Sequence, residues 1–211
     1  MTLTLDLYWD FSSPFSYLGA TQAEALAART GAVLTWRPML LGAVFKAIGQ
    51  AQAPILTWGE AKRNYYFKDL TRWADFYGVP FRFPTRFPML TLKALRTYLA
   101  LPEDRRGAFR ERTFRAYWAE DRDIADDAVL AELAGVDAKA SPSGDTAESS
   151  FKDAGALAAR IQSPEIKKEL ADATQAAIDR GVFGAPTWIV NGQELFWGQD
   201  RISLVERALA R

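Results

Sequence analysis

The 211-residue chain is 49% hydrophobic and balances 26 Lys and Arg against 26 Asp and Glu, a formal net charge of zero. The balance excludes the basic excess that nucleic acid or an anionic membrane would select, and the length suits one large domain or a domain carrying an insertion. Neither Cys nor His occurs, which excludes disulfides, protein thiolates, Cys- or His-ligated metals and the Ser-His-Asp triad.

The chain opens on an alternating stretch. Leu3, Leu5 and Leu7 fall on one side and Thr4, Asp6 and Tyr8 on the other, which predicts a strand over 3–9. Ser13 and Pro14 break it, and helical spacing runs from Phe15 to about residue 29, closed by Gly31. AVLTWRP (32–38) reads as a second strand, parallel to the first across a helical crossover. Residues 60–77 place Tyr66, Leu70, Trp73 and Tyr77 on one stripe, stopped by Gly78 and Pro80; FRFPTRFPM (81–89) is loop. Helices are expected at about 90–100, 107–119 and 126–135, then a polar connector at 137–148, then helices at about 149–161 and 164–180. GVFGAP (181–186) is a turn, and PTWIVN and QELFWG form a hairpin around Asn191 and Gly192. A last helix carries Ile202, Val205 and Leu209.

The order is β-α-β, a helical block, then α-β-β-α. Without the block it is the thioredoxin order, an α/β thioredoxin-like fold with a large all-helical insertion. The thioredoxin-like part is expected at 1–45 and 180–211, with part of the helix 163–180, and the insertion at 46–162. No apolar run approaches the roughly 20 residues that span a bilayer. The N-terminus carries acids and no basic segment, so no signal peptide is expected and the location is expected to be cytoplasmic.

Three short stretches each read two ways. Ser13 before Pro14 is a standard helix cap, but it also sets a hydroxyl at the carboxyl edge of strand 1, beside a helix end that stabilises a thiolate. Ala185 before Pro186 is either a plain turn or, if the bond is cis, an exposed backbone edge for an extended peptide-like ligand. In GQDR (198–201), Asp200 caps the last helix or takes an amine while free amides take a carboxylate. The acidic stretch EDRDIADD (120–127) is better read as Asp126 and Asp127 starting a helix than as a cation site. No phosphate loop, dinucleotide fingerprint or nucleophile elbow is present.

FSSPFSYLG, GVFGAPTWIV and LFWGQDR together resemble the DsbA-like family of 2-hydroxychromene-2-carboxylate isomerases, relatives of kappa-class glutathione transferases. LLGAVFKAIG (40–49), AKRNYYFKDLTRWADFYGVPF (61–81) and TLKALR (91–96) extend the resemblance over nearly the whole chain. It implies that Ser13 stands where thioredoxins carry their first cysteine and that the thiol arrives with bound glutathione. Ser13 would then favour the thiolate, the backbone of Ala185, set by Pro186, would pair with the cysteinyl unit, and Trp197, Gly198, Gln199 and Asp200 would hold the γ-glutamyl end. Gln50 is a further cofactor candidate, standing with Gly49 where many relatives carry Gly-Asn. Leu90 stands where many relatives carry Asn.

The implied reaction interconverts 2-hydroxychromene-2-carboxylate and trans-o-hydroxybenzylidenepyruvate, a step of naphthalene-type aromatic catabolism. The thiolate adds to the conjugated system, a double bond becomes rotatable, and expulsion gives the isomer. Lys62, Tyr65 and Leu90 are the candidates for the small aromatic carboxylate substrate; no metal is expected. A homodimer follows from the resemblance alone. The competing readings are a kappa-like glutathione transferase and a non-catalytic thioredoxin-fold binding module.

Overall fold

The computed structural model describes residues 2–136 and 154–211, so the expected connector at 137–148 lies outside the described residues. The chain divides into two compact units, residues 1–81 with 173–211, and residues 82–172.

The first unit is built on a sheet in the order β2-β1-β3-β4. β1 (Thr4–Trp9) pairs in parallel with β2 (Val33–Pro38), Leu7 opposite Trp36. It pairs antiparallel with β3 (Thr187–Val190), Leu7 opposite Trp188, and β3 pairs antiparallel with β4 (Glu194–Trp197). The hairpin turn has Asn191 at φ 51° and Gly192 at φ 68°, the left-handed pair that a two-residue turn demands.

Between β1 and β2 runs α1 (Pro14–Thr30), capped by Ser13 and closed by Gly31 at φ 70°. α2 (Leu41–Ala47) and α3 (Glu60–Tyr77) follow β2, and α9 (Ile202–Leu209) ends the chain. α1 touches β1, and α9 touches β3 and β4. On the sheet face of Tyr8 and Ile189, the core gathers Met39, Leu41, Val44, Ala177, Val182 and Ala185. Ala185 therefore sits at the rim of a core whose other members are apolar and buried. That burial, about 25 cal/mol for each Å² of apolar surface removed from water, anchors the turn carrying it.

The second unit holds α4 (Leu92–Ala100), α5 (Glu103–Trp118), α6 (Asp127–Leu133) and α7 (Ala154–Arg160). α8 (Pro164–Asp179) crosses from one unit to the other. Phe83, Phe87 and Trp118 cluster with ring centroids 5.0–6.3 Å apart. Asp126 accepts from the Ala128 and Val129 amides at 2.8 and 3.0 Å, so the acidic stretch there serves as a helix cap. The division by compactness places α2 and α3 with the sheet, whereas the sequence expectation began the insertion at residue 46.

Candidate active site

Ser13 is both of the things its sequence suggests. Its Oγ accepts from the Ser16 amide at 3.1 Å, which makes it the cap of α1. The same hydroxyl donates to the carbonyl of Ala185 at 2.9 Å, a contact between residues 172 apart in sequence. Ser13 is only 5% exposed. α1 has 17 residues and no acidic side chain in its first turn, so its positive end is not neutralised from within the helix. An anion beside Ser13 meets that field and a hydroxyl fixed in place.

Asp10 builds the turn. It is 1% exposed, and its carboxylate accepts from the Ser12 amide at 3.0 Å and the Leu41 amide at 2.7 Å. Its carbonyl accepts from the Ser13 amide at 3.2 Å. One buried carboxyl group thus links the end of β1 to the turn before α1 and to the start of α2.

The Ala185-Pro186 peptide bond is cis. Pro186 packs on α1 at Gly19, where an added Cβ would meet Pro186 Cγ at 3.1 Å. A larger residue at position 19 would push the turn away from Ser13. The Gly198 amide donates to the Pro186 carbonyl at 2.9 Å, so the turn at 197–200 is fastened directly to the one facing Ser13. The Gly198 carbonyl accepts from Trp188 Nε1 at 3.0 Å, and the Gln199 carbonyl from the Tyr77 hydroxyl at 3.0 Å. Gly198 has φ 115°, a conformation that favours glycine.

The side chains of this turn divide. Gln199 is 3% exposed, while Asp200 keeps its carboxylate toward solvent, 3.2 Å from Arg201. Asp200 caps nothing: α9 begins after a 3-10 turn, Gln199–Arg201, and its cap position is Arg201, without a side-chain hydrogen bond. Trp197 is 52% exposed, packs at a tilt on Phe183 with ring centroids 5.2 Å apart and lies against Gly184, where an added Cβ would collide with the indole.

α3 brings the other candidates. Tyr66 packs edge-on against Phe15, in the first turn of α1, at 5.4 Å, and against Trp58 at 5.3 Å. Lys62 Nζ lies 4.1 Å from the Trp58 ring centroid, a cation-π contact. A row of rings therefore links Lys62 to the start of α1. Burial pushes the Tyr66 hydroxyl well above its usual range. Tyr77 is pushed up to about 12, by burial first and then by the Asp200 carboxylate. Both stay protonated at neutral pH.

Tyr65 points elsewhere. It is 60% exposed, with its hydroxyl 3.4 Å from Asp69. Gln50 is exposed beyond α2, and its backbone N–H donates to the Phe45 carbonyl at 2.8 Å. Leu90 belongs to the second unit and is 79% exposed. Hydrogen bonds thus join Ser13 to Ala185 and Gly198 to Pro186, with Gln199 and Asp200 following Gly198 in the same turn and Trp197 on its flank.

Sequence reasoning missed Asp10, Ser16 and Tyr77. An acid ending an apolar strand was a usable signal for Asp10. Tyr77 gave none, because it was absorbed into the apolar stripe of its helix.

Residues 4–210 match the family model of the DSBA-like thioredoxin domain. A 2-hydroxychromene-2-carboxylate isomerase of Sphingobium xenophagum is 35% identical, with 99% of each chain covered. Glutathione S-transferase kappa 1 of Homo sapiens is 29% identical over 98% of this chain and 90% of its own. The solved structure of a 2-hydroxychromene-2-carboxylate isomerase superposes with a TM-score of 0.79 at 28% identity, covering 99% of this chain and 95% of that one.

Proposed function

Because the chain belongs to the DsbA-like family of 2-hydroxychromene-2-carboxylate isomerases, we propose that it is a glutathione-dependent isomerase of an aromatic carboxylate, interconverting 2-hydroxychromene-2-carboxylate and trans-o-hydroxybenzylidenepyruvate in aromatic catabolism. The observation that carries the reading is the Ser13 hydroxyl bonded to the Ala185 carbonyl at the positive end of α1. A chain without Cys or His needs its nucleophile brought in, and this edge has the donors and acceptors a γ-glutamyl tripeptide needs. The Ser13 hydroxyl would meet the sulfur, the Ala185 backbone a peptide amide, and the solvent-facing Asp200 carboxylate the amine. Glutathione, when bound, supplies the thiolate that the chain's own residues lack.

The protein's part is positioning and charge. Ser13 has one hydroxyl proton, and in this structure it rests on the Ala185 carbonyl. With glutathione bound, the Ala185 carbonyl would be the acceptor for a peptide N–H and the Ser13 hydroxyl the donor available to the sulfur, so the two residues would hold it together. The Ser16 amide keeps the Ser13 oxygen in place throughout. Lys62 supplies the cation for a substrate carboxylate, with Trp58 and Tyr66 offering flat apolar surface beside it. A homodimer, which rests on family resemblance alone, and a cytoplasmic location complete the proposal.

The kappa-class relative favours a second reading, in which the same site conjugates an electrophile without the return step. Incubation with glutathione and the chromene carboxylate separates the two. A spectral change with glutathione conserved supports the isomerase, and its consumption with chlorodinitrobenzene alone supports the transferase. Absence of a thermal shift in millimolar glutathione would sink both and leave a binding module.

A further inference from the structure

The turn at 197–200 is fixed from two directions. Gly198 is tied within the sheet region, its amide to the Pro186 carbonyl and its carbonyl to Trp188. The Gln199 carbonyl is held from far away, by a hydroxyl 122 residues earlier in the chain. That hydroxyl ends α3, whose Tyr66 packs on Phe15 at the start of α1. Tyr17 of α1 in turn donates to the Pro80 carbonyl at 2.8 Å, just beyond the end of α3. The end of α3 is therefore braced where Tyr77 leaves it.

The geometry points to Tyr77 as a positioning residue for recognition of the ligand's γ-glutamyl amine. It acts through the Gln199 carbonyl on the aim of Asp200, and the inference rests on the glutathione reading above. The local chain explains why a brace is needed. Gly198 is a glycine in a left-handed conformation, Asp200 caps no helix, and its own neighbour Arg201 competes for its carboxylate. Without the Tyr77 bond, Asp200 keeps its charge but loses its fixed direction. The hydroxyl suits the task because a tyrosine stays protonated, and so a donor, over the whole neutral range.

The test is Tyr77→Phe, which keeps the ring and removes one oxygen. Calorimetric Kd and steady-state KM are measured with glutathione and with cysteinylglycine, which lacks the γ-glutamyl group. Both constants should rise about five- to tenfold for glutathione, the loss of one buried hydrogen bond, with kcat unchanged and no change for cysteinylglycine. In a cycle with Asp200→Asn, the two losses should not add, because they remove the same contact. Equal weakening of both thiols, or additive losses, would overturn the role of Tyr77. Wild-type protein that binds neither thiol would instead overturn the glutathione reading on which it depends.

Discussion

Ser13 and Lys62 lie in one compact unit, yet they are held in opposite ways. Around Ser13 the side chains are buried and the partners are mostly backbone: the Ala185 carbonyl, the Ser16 amide, and the Ser12 and Leu41 amides that donate to Asp10. Around Lys62 the partners are rings, and the ammonium itself is solvent-exposed. Backbone partners survive substitution of the residues that bear them, so a site built on them suits a constant ligand such as a tripeptide. Ring and cation contacts change with every side chain, so they suit the variable half of the chemistry, the substrate.

Four substitutions or conditions sharpen or break that contrast. Ser13→Ala should lower turnover at saturating glutathione by about 100-fold or more, the scale of a lost charge-stabilising donor. It should cost about 2 kcal/mol of stability in a chemical melt, from the lost cap and the buried Ala185 carbonyl left without its donor. Asp200→Asn should raise KM for glutathione about tenfold, a charge-assisted contact reduced to a neutral one, with KM for the aromatic carboxylate unchanged. Lys62→Met should do the reverse, raising KM for the aromatic carboxylate several-fold while glutathione affinity, read by calorimetry, stays put. A loss of glutathione affinity in that variant would erase the distinction between the two regions. The smallest effect is on alkaline stability. Tyr77 ionises near 10 in an unfolded chain and at about 12 here. The folded state thus holds its proton more tightly, and stability is full below pH 10 and falls as pH climbs from 10 toward 12. Tyr77→Phe should make that decline shallower in pH-dependent melts.

The parts of the fold governed by local rules were legible. The break at Ser13 and Pro14, the αL closure at Gly31, the stop of α3 at Gly78 and the turn at Asn191 and Gly192 all follow from residues within a few positions of the event. The thioredoxin order followed from those boundaries. The bond from Ser13 to Ala185 had no local sign, and pairing the two stretches required the resemblance to a known family. Asp200 was a harder case. An acid just before a helix reads as a cap, but a 3-10 turn intervenes, and its carboxylate pairs with Arg201 instead. Tyr77 illustrates the limit of periodicity, which says that a ring faces inward and nothing about where its hydroxyl ends.

The central claim is that Ser13 holds a glutathione thiolate at the positive end of α1. Titration of the thiolate ultraviolet absorbance of bound glutathione, in the wild type and in Ser13→Ala, tests it without any substrate. The account predicts a bound-thiol pKa below the ~8.5 of an ordinary cysteine in the wild type, rising by about a unit or more in the variant. An identical pKa in the two proteins, with glutathione bound to both, would contradict it.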